Sequence, residues 1–220
     1  MKTEIVCVVD RSGSMDIMVK EAIGGFNGFL NDQKAVPDPA NFTLVLFDHE
    51  YRAVYESKDI ADIPPMDELQ FQPRGTTALL DAMGRAITET KERIDAELKK
   101  LTDAGYKGEK PKVIVMVMTD GLENASKDWD RTRISNLIEQ RKKDGWEFLF
   151  MSANMDGIQD AHSYGIDANN IVGVANSGKA YLRGMNYASA NVASYRTGGT
   201  MKATNNLSYI GDTEEEDEKK

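Results

Sequence analysis

Ile5-Val6-Cys7-Val8-Val9-Asp10-Arg11-Ser12-Gly13-Ser14 joins five consecutive apolar residues to a polar turn, and that junction decides the fold. The apolar run is too short for a helix and rich in β-branched residues, as expected of a strand buried on both faces. The same junction recurs where Val113-Ile114-Val115-Met116-Val117-Met118 runs into Thr119-Asp120-Gly121. Strands of this kind belong to parallel sheets whose two faces are covered by helices.

Working outward from these runs, the hydrophobic period switches repeatedly. Val19, Ile23, Phe26, Phe29 and Leu30 recur at helical spacing between Asp16 and about Asn31. Gly24, Gly25 and Gly28 weaken that helix on propensity, so close packing against the sheet is the expected reason for them. Their spacing is not that of a dinucleotide-binding loop. Phe42 to Phe47 and Tyr51 to Tyr55 flank the short break Asp48-His49-Glu50 and read as an antiparallel hairpin. The longest helix is expected from Thr77 to about Ala104, and further helices over Asp128 to Lys143, Gly157 to Tyr164 and Lys179 to Tyr195. Strands are expected at Phe148 to Met151 and Ile171 to Val174, with regular structure ending at Gly198-Gly199.

Strands alternating with helices in this way predict an α/β fold: a doubly wound, mostly parallel central sheet with one antiparallel edge strand and helices on both faces. One domain over residues 1–200 is expected, followed by an acidic tail over 201–220. The block Glu214-Glu215-Glu216-Asp217-Glu218 repels itself and offers nothing apolar to bury, so the tail is expected to be disordered.

Composition narrows the function classes. The net charge of −9 argues against nucleic acid, which demands clustered Lys and Arg. No apolar run approaches the roughly 20 residues of a membrane span, and Ile5 to Val9 is too short for a signal-peptide core, so a cytoplasmic chain is expected. The single cysteine, Cys7, excludes an internal disulfide and reads as a small core residue. His49 and His162 stand far apart without cysteine company, which disfavours zinc.

Ligands of open α/β sheets bind outside the carboxyl ends of the strands, where strand order reverses. The residues expected there are Asp10, Ser12 and Ser14, then Thr119-Asp120-Gly121, and Arg74-Gly75-Thr76-Thr77 before the long helix. Each of these loops offers hard oxygen ligands and none a thiolate or imidazole, which suits a small dication such as Mg²⁺. The i, i+2, i+4 spacing of Asp10, Ser12 and Ser14 lets one turning loop aim three oxygens inward. Each piece alone has a plainer reading: Ser14 or Thr77 as a helix cap, Asp120-Gly121 as a turn. Three together, each at a strand end, favour a site.

Asp10-x-Ser12-x-Ser14, a Gly-Thr-Thr-x-Leu segment and a Thr-Asp-Gly after an apolar strand resemble the metal-ion-dependent adhesion site (MIDAS) of von Willebrand factor A (VWA) domains. The likeness covers Lys2 to about Gly198. It implies that Ser12 and Ser14 bind metal through hydroxyls, that Asp10 and Asp120 supply carboxylates, often through water, and that a threonine is the fifth ligand. Counting back from Ala82-Met83 selects Thr77, with Thr76 as the alternative because Gly75-Thr76 stands where Gly-Gly is usual. The strand Val113 to Met118, then Asp120 to Ser126, and later Gly145-Trp146-Glu147-Phe148 resemble stand-alone bacterial or phage members in particular.

The resemblance implies a binding module, not an enzyme. Mg²⁺, or Mn²⁺ or Ca²⁺ in its place, keeps one coordination position for an Asp or Glu carboxylate of a protein partner, and the chain is expected to be a monomer without nucleic-acid or membrane partners. Arg11, Met15, Asp16, Arg74, Leu122 and Glu123 flank the ligands and are candidate rim residues. The alternatives are a metal-assisted hydrolase or phosphotransferase, and a structural subunit with a vestigial site. Against the former, the first loop lacks Asp-x-Asp, no GxxxxGK[ST] loop is present, and no histidine lies near the motif.

Overall fold

A computed structural model describes residues 2–199, 201, 207–212 and 218–219. Its first strand, β1 (Thr3–Asp10), is buried at every position. Side chains alternate across it: Ile5, Cys7 and Val9 join one core, Val6 and Val8 the other. Successive strand residues point to opposite faces, so an unbroken apolar run supplies two cores at once. The same alternation holds in β4 (Val113–Thr119), where Ile114, Met116 and Met118 face the first core and Val113, Val115 and Val117 the second.

The chain continues through a 3₁₀ turn (Gly13–Met18), α1 (Val19–Ala35), β2 (Ala40–Phe47) and β3 (Tyr51–Asp59) to α2 (Leu79–Asp103). After β4 come α3 (Arg131–Lys143), β5 (Trp146–Ser152), α4 (Met155–Ser163), β6 (Ile171–Val174) and α5 (Gly178–Arg196). Helices α1 and α5 cover one face of the sheet, and α2, α3 and α4 the other. The strand order is β3-β2-β1-β4-β5-β6, then β7 (Leu207–Ile210) and the two-residue β8 (Glu218–Lys219). Strands β2, β1, β4, β5, β6 and β7 pair in parallel, while β3 runs antiparallel to β2 at one edge and β8 antiparallel to β7 at the other.

From β1 the chain moves first to β2 on one side and later to β4 on the other. The order therefore reverses between β1 and β4, whose ends are neighbours in register, Val9 beside Met118. That reversal opens the crevice into which the loops after Asp10 and Thr119 project.

Two expectations change in detail. Gly25 is required by α5, not by the sheet: a Cβ there would lie 2.8 Å from Met185 Cγ, so the glycine lets α1 and α5 close on each other. Gly28 faces open space, and only loose contact with Leu182 surrounds Gly24. The sheet also runs past residue 200, where the sequence reading placed the end of the domain, because β7 pairs with β6. The acidic residues 213–217 lie outside the described residues. Cys7 is fully buried, and burial pushes its thiol pKa far up, as suits an inert core residue. No helix among the described residues is long and apolar enough to cross a membrane.

Candidate metal centre

Asp10 closes β1 at the switch point with its side chain fully buried. Its Oδ1 accepts a hydrogen bond from the Ser12 amide at 2.6 Å, and its Oδ2 accepts one from the Thr119 hydroxyl, also at 2.6 Å. The turn that follows brings Ser12 Oγ within 3.1 Å of Ser14 Oγ. Ser14 Oγ in turn donates to Asp120 Oδ1 at 2.7 Å, bridging the β1 and β4 loops.

Thr77 arrives from a third segment. Its backbone exchanges two hydrogen bonds with Asn124: Thr77 N donates to Oδ1 at 2.9 Å, and Asn124 N donates to Thr77 O at 3.0 Å. Glu123 accepts from the Leu80 amide, and Ser126 Oγ from the Asp81 amide. These bonds satisfy the open first turn of α2 from outside, so the helix needs no side chain of its own as a cap. Indeed α2 begins after Ala78 with no side-chain cap, and neither the 3₁₀ turn nor α1 is capped by Ser12 or Ser14. The cap readings of Ser14 and Thr77 therefore fail, and the hydroxyls are left for other work.

Gly121 shows where these oxygens point. A Cβ built on it would meet Thr77 Oγ1 at 2.9 Å, Ser14 Oγ at 3.5 Å and Asp10 Oδ2 at 3.6 Å. Oxygens from three separated segments thus converge on one small space that stays open because residue 121 has no side chain. Thr76, by contrast, is exposed, while Thr77 is buried. Among the described residues no three His, Cys, Asp or Glu side chains gather to hold a metal. The cradle contains two carboxylates, and its remaining oxygens are hydroxyls.

Burial dominates the electrostatics. Desolvation pushes the Asp10 carboxyl up to about 6, although the bonds from Thr119 and Ser12 pull it down, and neighbouring Asp120 adds a small upward push. Burial also raises Asp120, partly offset by the Ser14 hydroxyl. Two desolvated carboxylates side by side, with hydroxyls already turned toward them, make a pocket that a cation would stabilise. The donor set fits a hard dication with oxygen ligands.

No protein-family model matches the sequence, and no curated protein is similar to it. Solved structures do match. The pilus adhesin SpaC from Lactobacillus rhamnosus GG, in an open conformation, is 14% identical with a TM-score of 0.62, covering 88% of this chain and 30% of that one. A von Willebrand factor type A protein from Catenulispora acidiphila is 15% identical with a TM-score of 0.56, covering 88% and 43%. The chain has a von Willebrand factor A fold. Proximal thread matrix protein 1 from the mussel byssus agrees, at 15% identity and a TM-score of 0.52 over 87% of this chain and 46% of that one. The chain spans less than half the length of each of these three proteins.

Within this VWA fold the rim differs from the one expected. Arg11 is buried, its Nε 3.1 Å from Asp48 Oδ2, and Met15 is buried in the core beneath α1. Glu123 is consumed by hydrogen bonds from Leu80, Ala125 and Ser126. Asp16 and Leu122 are exposed, and Arg74 is half exposed but tied to Asp48 and Glu50.

Sequence reasoning missed Asp48, which is fully buried and holds the first loop through Arg11 and the third through Arg74 Nε at 2.9 Å. It also passed over Thr119 as a partner of Asp10 and Asn124 as the latch on Thr77. Of these, only Thr119 carried a signal, as the first residue of the Thr-Asp-Gly motif.

Proposed function

We propose that the chain is a divalent-metal-dependent protein-binding module, in which a Mg²⁺-type ion at the strand ends receives an acidic residue of a partner. The observation that carries this reading is the convergence of Thr77, Ser14 and Asp10 oxygens on the space beside Gly121. Asp10, Ser12, Ser14, Thr77 and Asp120 would hold the ion. With few carboxylates among them, the bound ion keeps net positive charge and attracts an external anionic oxygen. Hydrogen bonds hold the cradle in shape: the Thr119 hydroxyl and the Ser12 backbone amide orient Asp10, and the Ser14 hydroxyl orients Asp120.

Calorimetric titration tests the reading directly. One Mg²⁺ or Mn²⁺ per chain is expected, with a rise in Tm that EDTA reverses, since a native-state ligand stabilises the fold. Absence of binding by Mg²⁺, Mn²⁺ and Ca²⁺ alike would overturn the proposal. Metal-dependent turnover of a phosphate or ester above roughly 1 s⁻¹ would replace it with an enzyme.

Two further outcomes follow from the geometry. Thr77→Ala is expected to weaken Mg²⁺ binding at least tenfold, about 1.4 kcal/mol, and Thr76→Ala to leave it nearly unchanged. The reverse ranking would move the ligand by one residue. Affinity should also fall in acid. A metal ligand must be deprotonated, and the Asp10 carboxyl sits at about 6 in the metal-free protein. Because this value lies above the ordinary one, burial of Asp10 favours the fold at low pH, and that contribution is lost as pH rises from about 4 through about 6. The gap between metal-loaded and metal-free Tm should therefore widen over that range, with Mg²⁺ affinity about tenfold lower at pH 5 than at pH 7. An affinity independent of pH between 5 and 7 would show that Asp10 is ionised without metal.

A further inference from the structure

Among the described residues, the large apolar side chains that stand exposed are Ile17, Leu69 and Leu122, at 71%, 78% and 40%. Exposed apolar residues are ordinary when scattered singly. What distinguishes Ile17 and Leu122 is their place. Residues Gly13–Met18 form a 3₁₀ turn, in which side chains three apart stack on one face. Met15 and Met18 share the face that enters the core, and both are buried. Ser14 and Ile17 share another, so exposed Ile17 lies one turn on from the residue whose hydroxyl bonds Asp120 in the cradle. On the opposite loop, Leu122 directly follows Gly121, the residue whose missing side chain opens the cradle. Asp16 is exposed on the same turn and makes the surroundings unfavourable for further negative charge.

We propose that Ile17 and Leu122 form an apolar collar around the mouth of the metal centre, selecting a partner segment in which the acidic residue is flanked by apolar side chains. The inference rests on the metal-dependent reading above and adds to it the chemistry of the partner. A metal alone would take any accessible carboxylate, including those in acidic runs. The collar rewards apolar neighbours by removing their surface from water together with its own. Asp16 penalises acidic neighbours, so a polyacidic stretch is rejected even though it is rich in carboxylates.

Three capped peptides test this, each with one central aspartate and a neutral dye: Gly-Gly-Asp-Gly-Gly, Gly-Leu-Asp-Leu-Gly and Gly-Glu-Asp-Glu-Gly. Their affinities are read by fluorescence anisotropy with saturating Mg²⁺ and with EDTA, and Mg²⁺ binding by calorimetry in parallel. The leucine peptide is expected to bind at least tenfold more tightly than the glycine peptide, the glutamate peptide most weakly, and all binding to vanish in EDTA. In the double variant Ile17→Ser/Leu122→Ser the leucine advantage should fall below threefold while Mg²⁺ affinity is unchanged. Equal affinities, or no peptide binding, in a chain that binds Mg²⁺ overturn the collar and leave the metal centre standing. A leucine preference that survives in the double variant also overturns the collar. Failure of the chain to bind Mg²⁺ overturns the metal reading, and the collar with it.

Discussion

Asp48→Ala is expected to destabilise the chain by about 3–5 kcal/mol, the loss seen when one partner of a buried ion pair is removed. Asp48 is fully buried at the break between β2 and β3, and Arg11, also buried, lies against it with Nε 3.1 Å from Oδ2. Arg74 Nε donates to the same oxygen at 2.9 Å, and the Glu50 amide donates to Oδ1 at 2.7 Å. Alanine would leave the Arg11 guanidinium in a site that already disfavours its charge, since burial lowers the Arg11 pKa and Asp48 is the first-ranked influence opposing that.

The loss is large against a typical total of 5–15 kcal/mol, and corresponds to a Tm lower by roughly 6–20 °C for a chain of this size. Urea denaturation with metal removed measures it. Asp48→Asn should fall between the two, because the amide keeps the shape and some hydrogen bonds but not the charge. Metal affinity should suffer as well, since Arg74 N donates to Arg11 O and Gly13 N to Gly75 O, tying two cradle segments through residues that Asp48 holds. A cost under 1 kcal/mol would mean that Arg11 reaches water once Asp48 is gone, and that the pair is not what fixes the loops.

Asp48 also marks the limit of what the sequence discloses. Strands β1 and β4 are legible because burial on both faces writes itself as an unbroken apolar run, and the oxygens of Asp10, Ser12, Ser14 and Asp120 are legible because they end or follow those runs at fixed offsets. Asp48, 37 residues beyond Arg11 in the sequence, looks like one polar residue in a hairpin break. Its burial follows from the parallel pairing of β1 with β2, which sets Asp10 beside Phe47. Long-range juxtaposition of this kind has no local signature.

The rim was misjudged for a related reason. Met15 adjoins Ser14 in sequence, but the threefold period of the 3₁₀ turn sends it inward and leaves Ile17, three residues after Ser14, at the surface. Strand β7 was missed because Leu207-Ser208-Tyr209-Ile210 is too short for periodicity to speak, and its membership of the sheet depends on β6 having a free edge. The reason for Gly25 was equally out of reach, since the element that demands it, α5, lies about 160 residues downstream in the partner Met185.

Gly121→Ala is expected to weaken Mg²⁺ binding at least a hundredfold, about 2.8 kcal/mol, while leaving the metal-free fold intact. The added methyl would sit 2.9 Å from Thr77 Oγ1 and within 3.6 Å of Ser14 Oγ and Asp10 Oδ2, filling the space on which those oxygens converge. Residue 121 lies in a loop and contributes no side chain to either core, so the EDTA-treated variant should melt within a few degrees of the parent. Asp120→Ala provides the complementary loss, by removing a carboxylate and freeing Ser14 Oγ instead of blocking the space. Both variants should lose the Mg²⁺-dependent rise in Tm, and with it any partner binding that EDTA abolishes. Combining them should cost little more than either alone, because each removes the same bound ion. Undiminished Mg²⁺ binding by Gly121→Ala would place the metal away from this cradle, however well the five oxygen-bearing residues are arranged.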